Sequence, residues 1–321
     1  MMTKPSLLVT RRLPDAVAAR AAEMFDARLN QPDLQWTPDE IVALSQGADA
    51  ILCFSTDRLL APTIAALQAS VRAIATCSVG YDHVDVAAAK ARGIPVANTP
   101  EVLSVATAEI AMLLLLMSAR RAGEGERLVR SGQWQGWAPM LLLGTQISGK
   151  RLGILGMGRI GRELAKMARG FGMSIHYRNR TRLAPDLEQG ATWHDNDASF
   201  LANCDALAMT APGGPGTLKW LNAERLALLP RGAIVANAAR GSLVDDEALQ
   251  AALRSGQVGF AGLDVYDGEP KLHPGYFGLE NVVLLPHMGS STTETRAAMG
   301  DLCLDAVAEI LAGRQPWNLI A

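Results

Sequence analysis

The chain has 321 residues, 49% of them hydrophobic, a length that suggests roughly two domains. Its formal net charge of -2 and aromatic content of 5% leave no basic field of the kind that attracts nucleic acid. Four scattered cysteines (Cys53, Cys77, Cys204, Cys303) lack CxxC spacing and read as buried thiols of a reducing compartment, and five histidines without an HExxH pattern give no reason to expect a metal.

Met1–Arg12 carries a short strand pattern and no long apolar stretch of the secretion-signal kind, so the cytoplasm is the expected location. Apolar runs and helical spacing predict strands over Ser6–Thr10, Ala50–Phe54, Arg72–Thr76 and Ile94–Ala97. Helices are predicted over Asp15–Phe25, Thr63–Ala69 (introduced by Pro62) and Val84–Ala91. That alternation implies a parallel sheet covered by helices on both faces. Thr99-Pro100 interrupts it, and one long helix is predicted from Val105 to about Ser131. Its most apolar run, Ile110–Met117, is too short to span a bilayer, so no membrane is expected as a partner. Trp134–Leu143 is irregular and apolar, which suits a subunit interface or the mouth of a site. A second α/β unit begins at Arg151, with strands near Leu152, Ser174, Ala206, Ile234 and Ala261, then Val282–Leu285. The long amphipathic helix Thr292–Ala312 is expected to cross back and pack on the first domain.

The second unit opens on a strand pattern, Leu152–Leu155, that runs directly into Gly156-Met157-Gly158-Arg159-Ile160-Gly161. A helix over Glu163–Arg169 and a strand over Ser174–Tyr177 follow. In that setting Gly156 suits the tight turn, Gly158 close approach of backbone to a pyrophosphate, and Gly161 close helix–strand packing. The N–H groups and positive dipole end of the new helix favour the phosphates. About twenty residues on, where an NAD site usually has an acid, stands Arg178-Asn179-Arg180-Thr181-Arg182. Guanidinium groups match a 2′-phosphate, with hydroxyl and amide donors beside them. NADP(H) is therefore the expected cofactor, with NAD(H) a weaker substitute.

Three later patches lie at apparent strand ends, where open α/β sheets bind ligands. Ala233–Asn237 delivers Arg240, Ala261–Leu263 delivers Asp264 and then Glu269, and Val282–Leu285 delivers His287. This set suits hydride transfer to a 2-oxo acid. Arg240 can take the substrate carboxylate in a fork, His287 can protonate the carbonyl oxygen, and Glu269 can support the charged imidazole.

The chain resembles the D-isomer-specific 2-hydroxyacid dehydrogenase family. The resemblance rests on Ser78-Val79-Gly80-Tyr81-Asp82-His83-Val84-Asp85, the glycine motif, Asn237–Gly241, Asp264–Pro270 and Pro286–Ser290, and it covers almost the whole chain. It implies the same catalytic trio, Arg240, Glu269 and His287. It places a substrate-carboxylate loop at Val79 and Gly80, with Ser55 on the substrate side and Asp264 as the nicotinamide-carboxamide contact. Thr107, Thr210, Pro212, Thr217, Ala238 and Gly289 join the cofactor side. The implied fold is α/β with two Rossmann-like parallel-sheet domains. A nucleotide-binding domain, residues 99–287, is inserted into a flavodoxin-like substrate domain, residues 1–98 and 288–321. Members are usually homodimers through the nucleotide domain and close a hinged cleft around ligand. The Trp134–Leu143 stretch fits the dimer arm, and whether Trp137, Met140 or Leu141 caps the neighbouring site stays open.

Within that family the RNRTR, APGGPGT and LHPGYFGLENVVLLPHMGS segments look most like glyoxylate/hydroxypyruvate reductases, a branch that also contains 2-ketogluconate reductases. Thr210 stands where many members have His. Arg58 reads as a solvated side chain, the alternative being selection of a longer or more anionic acid. The expected activity is NADPH-preferring reduction of glyoxylate, hydroxypyruvate or 2-ketogluconate. The alternatives are another D-2-hydroxyacid dehydrogenase, such as 3-phosphoglycerate dehydrogenase, and a non-catalytic NAD(P)-sensing dimeric scaffold.

Overall fold

A computed structural model describes residues 4–320, so the outermost residues of the expected domain ranges and of the Met1–Arg12 pattern lie outside the described residues. The chain forms two compact units. Ser104–Gly289 is the second, and the described residues up to Leu103 and from Ser290 make the first. The first unit holds β1 (Ser6–Val9), β2 (Asp26–Leu29), β3 (Ala50–Cys53), β4 (Ala73–Thr76) and β5 (Val96–Ala97). The second holds β6 (Arg151–Leu155), β7 (Ser174–Arg178), β8 (Thr192–Trp193) and β9 (Ala206–Met209). It continues with β10 (Ala233–Asn237), β11 (Val258–Leu263) and β12 (Val282–Leu284), after which β13 (Leu319–Ile320) returns to the first unit.

The first sheet runs β2-β1-β3-β4-β5-β13 among the described residues, parallel except where β13 meets β5. This is the flavodoxin-like order with one antiparallel edge strand. The second runs β8-β7-β6-β9-β10-β11-β12 and is parallel throughout, the doubly wound order extended by one strand. Crossover helices cover both faces of such sheets, so central strands need apolar residues on both sides. The sequences AILC in β3, AIAT in β4 and ALAM in β9 meet that demand, and all three strands are buried throughout. Strand order reverses between β1 and β3 in one unit and between β6 and β9 in the other, which fixes where each sheet opens a crevice.

Several elements depart from the expected pattern. The predicted helix over Val105–Ser131 is two helices, Ser104–Ala119 and Ala122–Arg130, separated at Arg121 in a left-handed conformation (φ 53°). The Ala119 carbonyl accepts from the Thr145 N–H at 2.7 Å, and the Arg121 guanidinium folds onto Glu124 at 2.9 Å. A helix over Pro38–Leu44 starts from a capping box, Thr37 and Glu40 exchanging side-chain and backbone bonds. The helix after the glycine motif begins at Arg159, earlier than Glu163, and the helix near Pro62 begins at Ala61.

The helix Thr293–Leu311 packs on β4 and on the helix Asp15–Met24 within the first unit, with Arg20 bridging Asp301 at 2.9 Å and Asp305 at 2.5 Å. Ser104–Ala119, apolar on most sides, packs against the helix Arg159–Gly170 and against β10 and β11 in the second. The four cysteines are free and buried. Among the described residues no helix is long and apolar enough to cross a membrane.

At Gly153 in β6, an added Cβ would lie 2.0 Å from Cys204 Sγ and 3.1 Å from a Phe200 ring carbon. Gly153→Ala is expected to cost ~1–3 kcal/mol in urea unfolding, the usual range for overpacking. Adding Cys204→Ala should restore most of that stability. Unchanged stability in the single variant would show that this contact is slack.

Candidate functional site

The second unit's crevice is built around the glycine turn. Gly156 has φ 89°, and a Cβ there would lie 2.5 Å from Ala211 Cα, so the turn presses on the segment leaving β9. A Cβ at Gly161 would meet the Gly156 carbonyl oxygen at 2.8 Å. Around Gly158, by contrast, a Cβ would meet nothing within 4 Å. The turn is braced from both neighbouring strands. Thr210 Oγ1 donates to the Gly156 carbonyl at 2.8 Å, and Asn179 Oδ1 accepts from the Met157 N–H at 2.7 Å. Arg159–Gly170 has no side-chain cap, so its first-turn N–H groups point toward the open side of Gly158 without a capping side chain. A tight base, an open middle glycine and an uncapped 12-residue helix fit a dinucleotide pyrophosphate. Thr210 and Asn179, expected on the cofactor side, thus also hold the turn itself.

Beyond β7 the basic run divides. Arg178 donates from Nε to Asp197 at 3.1 Å and from Nη1 to the Asn179 carbonyl at 2.8 Å. Arg182 pairs with the buried Glu188 at 2.8 Å. Arg180 and Thr181 are exposed and make no side-chain hydrogen bond among the described residues. Across the crevice, Thr217 Oγ1 donates to the Pro212 carbonyl at 2.8 Å, closing that loop on itself. Ile160 is half-buried in the first helical turn, and Ala238 is buried just beyond β10.

The ends of β10, β11 and β12 carry the catalytic candidates. Asn237, fully buried, accepts from the Ala239 N–H at 3.0 Å and donates to the Arg240 carbonyl at 2.9 Å, which folds the turn that presents Arg240. Arg240 is half-buried and donates from Nη1 to the Ala239 carbonyl at 2.7 Å. After β11, Asp264 is 1% exposed and accepts from the N–H groups of Met288 (2.7 Å) and Gly289 (2.8 Å). Those two residues follow His287, whose φ is 57°, a region non-glycine residues rarely occupy. Thr107 borders the same spot: a Cβ on Gly289 would lie 3.4 Å from Thr107 Cγ2.

His287 Nδ1 lies 2.7 Å from Glu269 Oε2, and Glu269 Oε1 accepts from the Tyr266 N–H at 2.8 Å. The Tyr266 hydroxyl reaches the carbonyls of Leu285 (2.8 Å) and Leu263 (3.0 Å), tying the ends of β12 and β11 together. Burial works to raise the Glu269 carboxyl, but the His287 and Tyr266 hydrogen bonds, with the nearby charges of His287 and Arg240, outweigh it and hold the group below the usual carboxylate range. Asp264 goes the other way, because its burial exceeds what its N–H donors and His287 give back. Ionised Glu269 fixes the proton on Nδ1 and leaves Nε2 as the free nitrogen of the ring. The pattern of the sequence did not single out Tyr266, Asn237 or Asp197 as site residues. Asn237 carries a visible signal, a polar residue closing the apolar strand AIVAN.

In the first unit, Ser55 is exposed in a turn after β3. Asp57 closes that turn, accepting from the Phe54 N–H at 2.8 Å and from Thr10 Oγ1 at 2.5 Å, and burial pushes its carboxyl up. Arg58 beside it is exposed, with no partner among the described residues. After β4, three consecutive carbonyls are engaged. Ser78 O accepts from the Thr99 N–H (3.0 Å), Val79 O from Asn98 Nδ2 (2.8 Å) and Gly80 O from Ser78 Oγ (2.7 Å). The N–H groups of Val79 and Gly80 have no hydrogen-bond partner among the described residues. The loop therefore offers two unpaired donors beside carbonyls that are already engaged, a polarity that suits an anion.

Comparison with known proteins gives these features a context. Residues 112–289 match the D-isomer specific 2-hydroxyacid dehydrogenase, NAD binding domain family. The chain is 42% identical to a glycerate dehydrogenase of Hyphomicrobium methylovorum, over 97% of this chain and 98% of that protein. It is 37% identical to a glyoxylate reductase of Thermococcus onnurineus, over 99% and 96% of the two chains. Among solved structures it resembles the NADPH-dependent glyoxylate/hydroxypyruvate reductase of Sinorhizobium meliloti, in complex with NADP and malonate. The TM-score is 0.88 and the identity 34%, covering 99% of this chain and 97% of the other. With its doubly wound second unit, glycine turn and paired His287 and Glu269, this chain belongs to the D-isomer-specific 2-hydroxyacid dehydrogenase family, as a 2-hydroxyacid dehydrogenase of the glyoxylate reductase and glycerate dehydrogenase kind.

Proposed function

We propose that the protein is an NADPH-preferring reductase of small 2-oxo acids, glyoxylate and hydroxypyruvate first and 2-ketogluconate as a further candidate. The single observation that carries the chemistry is the 2.7 Å pair of His287 Nδ1 and Glu269 Oε2, with Nε2 left free. When bound, reduced nicotinamide supplies the hydride. Gly156–Gly161 would hold the pyrophosphate, and Arg180 and Thr181, unengaged in the basic loop, would hold the 2′-phosphate. As the carbonyl carbon is reduced, its oxygen gains charge and takes the proton from His287 Nε2. Glu269 stabilises the imidazolium from the Nδ1 side, and Asp264 keeps the ring aimed by fixing the two residues after it. Arg240 offers its guanidinium to the substrate carboxylate, and in the first unit the N–H groups of Val79 and Gly80 suit an anion. NADP bound to the Sinorhizobium meliloti reductase supports the cofactor choice.

A homodimer belongs to the same reading. Trp134, Trp137, Met140 and Leu143 are 52%, 82%, 75% and 53% exposed in one loop, and the adjoining helix Ala122–Arg130 has no buried residue. Large apolar side chains exposed together in one loop are the kind of surface that serves as a contact with another chain.

His287→Gln is expected to lower turnover by ~10²–10⁴-fold, with nucleotide dissociation constants little changed. Equal turnover would remove His287 from the chemistry. Glu269→Gln removes the carboxylate that faces His287 Nδ1 at 2.7 Å and should lower kcat for reduction while nucleotide dissociation constants stay unchanged. An unchanged kcat would detach Glu269 from the proton donor. Trp137→Asp with Met140→Asp should halve the mass seen by sedimentation equilibrium, and an unchanged mass would place the subunit contact elsewhere.

A further inference from the structure

Asp197 lies outside the glycine turn, the basic loop and the catalytic trio, yet it contacts the first arginine of that loop. It is the first residue of the helix Asp197–Leu201, whose cap is Asn196. Its two carboxylate oxygens serve two guanidinium groups: Oδ1 accepts from Arg178 Nε at 3.1 Å and Oδ2 from Arg225 Nε at 2.7 Å. Arg225 is itself held, with its guanidinium carbon 5.1 Å from the Trp220 ring centroid and Nη1 donating to the Trp220 carbonyl at 3.0 Å. The carboxylate is thus anchored on the Arg225 side and pulls Arg178 toward it. Nη1 of Arg178 donates to the Asn179 carbonyl as well. With Nε on Asp197, the guanidinium cannot turn its Nε–Nη2 edge, the one that forks a phosphate side-on, to a ligand without leaving the carboxylate.

We propose that Asp197 is a positioning residue that sets cofactor discrimination by holding Arg178 back from the 2′-phosphate. This rests on the NADP(H) reading of the basic loop. Arg180 and Thr181 then carry the phosphate contact, and Arg178 is a reserve cation whose contribution Asp197 limits. The preference for the phosphorylated nucleotide in the native chain is accordingly lower than three arginines in RNRTR would suggest.

Asp197→Asn tests this. The amide has one acceptor oxygen, which the shorter bond to Arg225 retains, so Arg178 is released. Affinities for adenosine 2′,5′-bisphosphate and 5′-AMP would be measured by titration calorimetry on the full chain, with the melting temperature recorded for each variant. The expected result is a roughly three- to tenfold tightening for the bisphosphate, the order of one charge-assisted contact at a partly exposed site. Binding of 5′-AMP should change by less than about twofold. In an Arg178→Met background the same substitution should have no effect on the ratio of the two affinities, and Asp197→Glu should stay near the native ratio. Tightening that persists without Arg178 would assign the effect to the general field of one lost charge and overturn the positioning role. So would an unchanged or weakened bisphosphate affinity in Asp197→Asn. A native chain that binds both nucleotides equally would instead overturn the NADP(H) reading, and the inference with it.

Discussion

One buried carboxylate decides where the catalytic ring can be. Asp264 takes the N–H groups of both residues after His287, and it does so at the end of a strand whose core position is fixed by β10 on one side and β12 on the other. A left-handed residue in a turn costs of order 1–3 kcal/mol and persists only when its surroundings over-determine it. Two charge-assisted bonds in a water-poor setting meet that condition. Tyr266 adds a second fixture, its hydroxyl bridging the ends of β11 and β12, while its own N–H steadies Glu269. The imidazole and its carboxylate partner are therefore placed by groups that do no chemistry themselves.

The glycine turn follows the same logic with opposite means. There the neighbours exclude side chains at Gly156 and Gly161, while Gly158 is left open. Thr210 and Asn179 brace the turn from β9 and β7, the strands on either side of β6. The protein's own side chains hold the turn, an arrangement that lowers the ordering cost of binding. Thr210 supplies a short hydroxyl that reaches the turn carbonyl directly.

Much of this was legible in the chain itself, because some requirements leave only one residue type. Glycines at 156, 158 and 161 after an apolar strand point to one kind of turn, and Arg240, Glu269 and His287 each follow an apolar run. Parallel sheets covered by helices follow from strand–helix alternation. What stayed hidden depends on partners distant in sequence. Nothing in RNRTR says that Arg178 is held by Asp197 and Arg182 by Glu188 while Arg180 is unengaged. The break at Arg121 was invisible for a different reason: arginine has good helix propensity, and the left-handed turn is fixed by Thr145 and Glu124. β2, with the sequence DARL, is an edge strand of mixed composition and gives no apolar signal.

The first unit is discontinuous, and that has a consequence for biogenesis. Its helix Thr293–Leu311 covers β4, and β13 completes its sheet edge beside β5, yet both are translated after all of Ser104–Gly289. The uninterrupted unit has every one of its strands as soon as it clears the ribosome, whereas the earlier segment must wait with the face of a central strand uncovered. Folding then finishes in the sheet that precedes Ser104, and in the interval that sheet keeps apolar surface uncovered, the condition under which chaperones act.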